Sequence, residues 1–279
     1  MFGNKKKTQT AQRGVADQKL GADLDFASAE AYNLLRTNVS FALPGKQGCK
    51  IIGITSACPQ EGKSFTSINF AYALAKNGSR VLLLDGDMRR PSIAASLDLS
   101  RVPGLSNVLT RQNEVEEVLH KNILNENLTV LLSGNIPPNP SELLGSEEMK
   151  ALLDRMSADY DYIIVDLPPV ISVSDALVIS KYLDGIVLVL RHGFTRRRNV
   201  QEAIRQLRFV EARILGFVYN GYRSGSSYYR TSRRYYRYGK YYRYYEYSSR
   251  GKHEGDHVRK PKKAAAEKQP KSKKHEGKE

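Results

Sequence analysis

Six short apolar segments recur along the chain, and stretches with helical periodicity alternate with them. The apolar segments are rich in β-branched residues and almost continuously hydrophobic, which is typical of strands covered on both faces. The strand candidates are 50–55, 80–84, 128–132, 161–165, 185–190 and 214–219. The helical candidates are 28–41 (with Ser28 as its N-cap), 63–76, 141–157, 174–182 and 196–211. This alternation predicts an α/β fold with a doubly wound, mostly parallel sheet, whose ligands bind at the carboxyl ends of the strands.

The composition changes at both ends of this region. Residues 1–27 begin with a basic stretch that lacks an apolar run, which argues against a secretory signal, and no segment approaches the ~20 apolar residues that span a bilayer. Residues 223–250 contain ten tyrosines but no Leu, Ile, Val or Phe, and residues 251–279 are rich in lysine. We therefore predict a flexible basic N-terminus at 1–27, a folded domain at 28–222, a tyrosine-cluster tail at 223–250 and a disordered lysine-rich tail at 251–279.

The net charge of +15 belongs to the ends of the chain. Residues 223–279 carry 18 basic and 6 acidic groups, a net of +12, whereas residues 14–222 carry 22 basic and 23 acidic groups, a net of −1. A near-neutral core with charged tails is typical of a folded enzyme or binding module, and it argues against a wholly basic nucleic-acid-binding domain. Cys49 and Cys58 show neither metal-ligand nor disulfide spacing, so we expect two reduced thiols in a cytoplasmic protein.

A phosphate-binding pattern directly follows the first strand candidate. The stretch from Ile51 to Ser64 reads IIGITSACPQEGKS, and its end matches the P-loop pattern G-x-x-x-x-G-K-[ST], although Ala57 stands where the first glycine is expected. Backbone N–H groups and the helix N-terminus of such a loop bind phosphates. Lys63 is expected to neutralise the β- and γ-phosphates, and the Ser64 hydroxyl is expected to coordinate Mg²⁺.

Carboxylates follow two further strand candidates. Asp85 and Asp87 come after LLL at the end of the second strand, and Asp166 comes after IIV at the end of the fourth. Because the carboxyl ends of parallel strands meet at one edge of a sheet, these acids can converge beside the P-loop. Hard cations such as Mg²⁺ prefer carboxylates and phosphate oxygens, so the sequence predicts a site for a metal–nucleotide complex.

Together these motifs resemble the bacterial tyrosine kinases of exopolysaccharide and capsule synthesis, in the stand-alone cytoplasmic form whose membrane-spanning activator is a separate chain. The resemblance covers about residues 28–250 and rests on EAYNLLRTN, ACPQEGKS, LLLLDGDMRRP, GLSNVL, PPNPSELL, YIIVDLPP, GFVYNG and the terminal tyrosine cluster. It implies a P-loop NTPase fold with deviant Walker motifs, ATP and Mg²⁺ as cofactors, and transfer of the γ-phosphate to tyrosines.

The resemblance also implies roles for individual residues. Asp85 is the implied base that activates the tyrosine hydroxyl, and Asn220 at the end of the last strand is the implied contact to adenine. The implied catalytic set is Lys63, Asp85 and Asp87, the nucleotide-binding set is Gly62, Lys63, Ser64, Phe65 and Asn220, and the metal-binding set is Ser64, Asp87 and Asp166.

The first helical candidate is implied to pack protomers into a ring. Members of the family carry E-x-x-R-x-x-R in this helix, whereas the present chain has Glu30, Asn33 and Arg36 at the three positions. Glu30 and Arg36 are therefore the expected oligomerisation residues, and Asn33 leaves the stability of a ring open.

The resemblance implies partners as well as a location. The expected partners are the cytoplasmic tail of a transmembrane activator of the chain-length-determinant type, other copies of the chain, a cognate phosphotyrosine phosphatase and possible further protein substrates. The expected location is the cytoplasm, with recruitment to the inner face of the cell membrane by the activator.

The tyrosine cluster admits two interpretations. As a kinase substrate, it offers phosphorylation sites at Tyr228, Tyr229, Tyr235, Tyr236, Tyr238, Tyr241, Tyr242, Tyr244, Tyr245 and Tyr247. Aromatic residues interleaved with arginine are also typical of nucleic-acid binding, which gives the alternative of a partition- or septum-placing ATPase switch with a nucleic-acid-binding tail. Such ATPases carry a lysine early in the loop, where this chain has Cys58. This difference favours the kinase, for which no nucleic-acid partner is expected.

Overall fold

Residues 19–221 are the part of the chain that the computed structural model describes. Seven strands form one sheet in the order β3-β4-β2-β5-β1-β6-β7, in which β3 pairs antiparallel with β4 and all other neighbours are parallel. The strands are β1 (Lys50–Ser56), β2 (Val81–Asp85), β3 (Leu119–His120), β4 (Leu128–Leu131), β5 (Tyr162–Asp166), β6 (Gly185–Arg191) and β7 (Ile214–Asn220). The predicted doubly wound, mostly parallel sheet is confirmed.

Helices cover both faces of this sheet. The α-helices are α1 (Phe26–Ala42), α2 (Lys63–Lys76), α3 (Ile93–Ser96), α4 (Leu105–Leu109), α5 (Val115–Val118), α6 (Pro140–Leu144), α7 (Glu147–Met156), α8 (Asp175–Ile179) and α9 (Arg197–Phe209), with 3₁₀ turns at Gly21–Asp23 and Ser180–Tyr182. No helix within residues 19–221 is long and apolar enough to cross a membrane.

The strands are continuously apolar because successive side chains enter two different cores. In β2, Leu82 and Leu84 pack with the layer that includes α7 and α9, whereas Val81 and Leu83 pack with the layer formed by α1 and α2. All four side chains are fully buried. This two-sided burial fixes the strand register, because a slip of one residue would exchange the two layers, and it holds the carboxyl ends of β1, β2 and β5 at one edge.

Three local predictions are corrected by the structure. The N-cap of α1 is Asp25 rather than Ser28, since the Asp25 carboxylate accepts hydrogen bonds from both the backbone N–H and the hydroxyl of Ser28. The helix predicted at 141–157 is two helices, separated at Gly145 and Ser146. The short antiparallel strand β3 and the helices α3, α4 and α5 were not among the predicted elements. Cys49 and Cys58 are both free, and Cys49 is buried.

Candidate functional site

The P-loop joins β1 to α2 and turns sharply at Gly62. This residue is the N-cap of α2 and has φ 91°, a left-handed conformation that glycine adopts without strain. A Cβ atom at position 62 would lie 1.9 Å from Nδ2 of Asn220. The same Nδ2 donates a hydrogen bond of 3.1 Å to the carbonyl oxygen of Glu61. Asn220, the last residue of β7, therefore supports the P-loop directly. Its amide leaves no room for a Cβ atom at position 62, which explains why position 62 requires glycine.

The Lys63 ammonium lies between two of the predicted carboxylates. Its Nζ is 2.8 Å from Oδ2 of Asp87 and 3.4 Å from Oδ2 of Asp166. Burial by itself lowers the pKa of Lys63, but the charges of Asp166 and Asp87 outweigh it, so that the pKa is raised. Lys63 is therefore a fixed positive charge at the loop, which is the requirement for neutralising phosphate oxygens.

Asp166 is fully buried and receives two hydroxyl groups from the first turns of α2. Ser64 Oγ donates to its Oδ2 at 2.5 Å, and Ser67 Oγ donates to its Oδ1 at 3.0 Å. Burial is the largest influence and raises the pKa of Asp166, although Lys63 and Ser64 lower it. The structure thus brings together the predicted metal-binding set of Ser64, Asp87 and Asp166. It also shows Ser67 as a hydrogen-bond donor to Asp166, a contact that sequence reasoning did not identify.

Asp85 is the least satisfied polar group of the site. It is fully buried, it is paired with Asp166 in the β2–β5 ladder, and neither carboxylate oxygen has a well-formed hydrogen bond. Burial raises the pKa of Asp85 well above its ordinary value, and the neighbouring Asp166 raises it further. A buried acceptor without a partner is costly, and such groups concentrate at functional sites.

These residues fit a magnesium–nucleotide complex. Within residues 19–221, no group of three or more His, Cys, Asp or Glu side chains forms a complete protein cage for a metal. Mg²⁺ does not require such a cage, because it usually keeps several waters and binds one or two carboxylates together with substrate phosphates. The buried carboxylate of Asp85, which has no well-formed hydrogen bond, lies beside Asp87 and Asp166, and this is the observation that favours a cation at this place.

The outer turn of the P-loop is braced by a buried acid that sequence reasoning missed. Glu61 is fully buried; its Oε2 accepts from the backbone N–H of Cys58 at 2.9 Å, and its Oε1 accepts from Thr195 Oγ1 at 2.5 Å. Thr195 Oγ1 in turn accepts from the backbone N–H of Arg191 at 2.7 Å, and Asn199 Nδ2 donates to Cys58 Sγ at 3.0 Å. The segment between β6 and α9 therefore fixes the conformation of the loop.

A second buried acid holds the segment that follows Asp87. Asp175 is fully buried and receives both Nε and Nη2 of Arg89 at 2.9 Å, and Ser141 Oγ donates to it at 2.6 Å. The backbone N–H of Arg90 donates to Oδ1 of Asp87 at 3.0 Å. This bidentate ion pair ties the Asp87 turn to α6 and α8, over a separation of 86 residues that leaves no local sequence pattern.

The remaining predicted residues that the structure describes lie on α2 and α1. Phe65 is in the first turn of α2, while Glu30 and Arg36 are on α1, where Oε1 of Glu30 accepts from Asn33 Nδ2 at 2.8 Å. Asn33 therefore binds a neighbour within its own helix. The ten predicted phosphorylation sites lie outside the described residues.

Comparisons with known proteins identify the relatives of this chain. A family model described as an AAA domain matches residues 49–211. The chain is 40% identical over 195 residues to the tyrosine-protein kinase YwqD of Bacillus subtilis, a match that covers 70% of this chain and 81% of that protein. It is 33% identical over 205 residues to the tyrosine-protein kinase ptk of Acinetobacter johnsonii, covering 74% of this chain but only 28% of that longer protein.

A solved structure shows the same fold. The kinase domain of the Escherichia coli tyrosine kinase ETK superposes with a TM-score of 0.68 at 34% sequence identity, covering 71% of this chain and 77% of that chain.

Proposed function

The chain belongs to the bacterial tyrosine-protein kinases, and on this premise we propose that it transfers the γ-phosphate of ATP to the tyrosines at 228–247 and regulates exopolysaccharide or capsule synthesis. One observation carries the site assignment. The acids at the carboxyl ends of β2 and β5 lie beside the Lys63 ammonium at the start of α2.

Phosphoryl transfer requires charge neutralisation and alignment more than covalent participation by the protein. The backbone from Gly62 onward, together with Lys63, would bind the phosphates of ATP, and Ser64, Asp87 and Asp166 would hold Mg²⁺. Phe65 and Asn220 complete the proposed nucleotide contacts. When bound, the metal–nucleotide complex supplies the phosphoryl group and offsets its negative charge.

Asp85 is the proposed general base. Burial and the neighbouring Asp166 raise the pKa of Asp85, and a carboxylate with a raised pKa has a greater affinity for the proton of a tyrosine hydroxyl. In the proposed reaction, the proton of the tyrosine hydroxyl passes to a carboxylate oxygen of Asp85. The tyrosine oxygen forms a bond to the γ-phosphorus, the bond to the bridging β–γ oxygen breaks, and ADP leaves.

The position of β7 supports the tail as the first substrate. This strand ends at Asn220, whose amide contacts the P-loop, so that the point from which the tail begins lies beside the proposed site. A tethered substrate has a high effective concentration at its own or a neighbouring site. Trans-phosphorylation within a ring packed through Glu30 and Arg36 is the arrangement we propose.

Phosphorylation would reverse the charge of the tail. Each phosphate adds about −1.5 to −2 at neutral pH, so ten would add roughly −15 to −20. Residues 223–279 now carry +12. Repulsion from acidic surfaces that previously attracted the tail would loosen the assembly. We further propose that a transmembrane activator recruits the chain to the inner face of the membrane, and that a phosphotyrosine phosphatase restores the unmodified tail.

The test is incubation of the full chain with Mg-ATP, followed by mapping of phosphosites, with and without the cytoplasmic tail of a candidate activator. Lys63→Met should abolish phosphotyrosine at 228–247, whereas the matched surface variant Lys121→Met should retain it. ATP hydrolysis without phosphotyrosine, even with the activator present, would contradict the proposed tail substrate and favour an ATPase switch.

A further inference from the structure

A cavity lies away from the P-loop, between α1, the second half of α2 and the Gly21–Asp23 turn. Its volume is about 530 Å³, which is in the range of small-molecule sites. The part of α2 that lines it runs from Asn69 to Asn77. Because a helix rises 1.5 Å per residue, Lys76 lies about 20 Å along the axis from Lys63. The cavity is therefore separate from the phosphate site.

The lining combines aromatic rings with positive charge. Phe26, Tyr32 and Tyr72 supply the rings, and Arg36 and Lys76 supply two cations. The Lys76 Nζ lies 6.0 Å from the centre of the Tyr72 ring. This composition favours a ligand that is itself both aromatic and anionic, since rings pack on rings and cations bind anionic oxygens.

No carboxylate lines this cavity, whose walls all belong to the described part of the chain. The acids that α1 carries near its start are engaged within the helix, because Asp25 caps it through Ser28 and Glu30 binds Asn33. Across residues 19–221, the ion pairs of the structure include neither Arg36 nor Lys76. Both cations are therefore available to an external anion.

We propose that this cavity binds a phosphotyrosine of the 228–247 segment, so that the kinase recognises its own product. The aryl ring would lie against Tyr32 and Tyr72, and the phosphate would lie between Arg36 and Lys76. The unmodified tail carries a net positive charge and would be repelled by the two cations, whereas each phosphate adds a negative group that these cations attract. The inference rests on the proposed phosphorylation of the tail.

The tail is long enough for this role. Tyr228 follows Asn220 by eight residues and reaches about 26 Å when extended, and the later tyrosines reach farther. At the other end of β7, Nη2 of Arg213, the residue before the strand, donates to the carbonyl oxygen of Ala42 at the end of α1 at 2.6 Å. Because Arg36 is also the residue proposed for protomer packing, a bound phosphotyrosine would compete with the neighbouring protomer for it.

The experiment measures binding of a fluorescent synthetic peptide of residues 225–233, phosphorylated at Tyr228, to the full dephosphorylated chain without nucleotide. We expect Lys76→Gln to weaken binding about tenfold through loss of one charge-assisted contact. Ala29→Trp, which fills the cavity from α1, should abolish binding at an unchanged melting temperature. Lys121→Gln, which changes an exposed lysine elsewhere, should bind like the wild type.

Three results would overturn the proposal. The first is wild-type affinity in both Lys76→Gln and Ala29→Trp. The second is equal binding of the unphosphorylated peptide, and the third is equal binding of a phosphoserine peptide, which would indicate a general anion surface. Because the peptide is made synthetically, binding is independent of catalysis. Failure of the kinase proposal would instead appear as missing phosphotyrosine in the Mg-ATP experiment.

Discussion

Replacing Asp85 with asparagine is expected to raise the stability of the nucleotide-free protein while it abolishes phosphate transfer. The carboxylate is fully buried, lies beside Asp166 in the sheet and has no well-formed hydrogen bond. The variant removes the negative charge and keeps the size of the side chain. Loss of activity follows from loss of the proposed base.

The size of the stability effect follows from the cost of an unpaired buried group. Such a group costs about 1–3 kcal/mol, and more when it is charged. Because the asparagine amide keeps part of this cost, we expect the free energy of unfolding to rise by about 1–2 kcal/mol. For a domain of this size, that change raises the melting temperature by about 2–8 °C.

The gain in stability of Asp85→Asn over the wild type should depend on pH, and the pKa of Asp85 determines the direction of this dependence. The pKa of Asp85 in the folded state is raised above its value of 3.8 in the unfolded chain. The carboxyl group therefore favours folding most fully below about pH 4, and this contribution is lost as the pH rises through the folded-state pKa. The advantage of Asp85→Asn over the wild type should accordingly widen from acidic to neutral pH.

The assay is thermal unfolding by circular dichroism without nucleotide, at several pH values between 4 and 8, for the wild type, Asp85→Asn and Asp159→Asn. Asp159 is exposed, so its substitution is the matched control and should change the melting temperature little. A melting temperature of Asp85→Asn below that of the wild type at neutral pH would refute the reasoning that the carboxylate destabilises the empty site.

Three further substitutions test the supports of the site. Gly62→Ala should weaken nucleotide binding in a titration and lower the stability by about 1–2 kcal/mol, because it forces a left-handed conformation and collides with Asn220; unchanged nucleotide affinity would contradict this. Thr195→Val should cost about 1–3 kcal/mol in chemical denaturation and raise the KM for ATP, since Glu61 loses a buried partner; an unchanged KM would show that the brace does not shape the loop. Asp175→Asn should cost about 1.5–3 kcal/mol and lower kcat, because its arginine partner loses a charge-assisted bidentate pair; loss of stability with wild-type kcat would limit its role to the fold.

The strands and the P-loop could be predicted because their signals are local. Each strand is a short apolar run, and GKS follows the first of them after a short loop. The carboxylates could be predicted equally well from the sequence. Asp85, Asp87 and Asp166 lie at strand ends, and parallel strands bring such ends together. In the structure Lys63 contacts Asp87 and Asp166, and Asp85 is paired with Asp166 in the β2–β5 ladder.

The supporting contacts could not be predicted, because they join distant parts of the chain. Glu61 and Thr195 are 134 residues apart, and no periodicity or spacing marks such a pair. The break in the helix predicted at 141–157 has a similar cause. A Cβ atom at Gly145 would lie 2.3 Å from Cγ1 of Val178, so close packing against α8 determines where the chain bends.

The start of α1 shows a different limit of prediction from the sequence. Both Asp25 and Ser28 are suitable N-caps, and the apolar periodicity begins only after Ser28. The helix nevertheless starts at Phe26, which is 51% exposed and therefore contributes little to the periodic pattern.

The support of the P-loop by Asn220 has a mechanical consequence. β7 is an edge strand, and its last residue both accepts a backbone hydrogen bond of 2.8 Å from His192 and donates to Glu61. Any tension on the residues that follow Asn220 is applied first to these two bonds. A pull along the strand loads the whole β6–β7 ladder at once, whereas a sideways pull opens it one bond at a time from the nucleotide side. A molecule that holds the tail would therefore transmit force to the conformation of the P-loop. The effect depends on the direction of the pull.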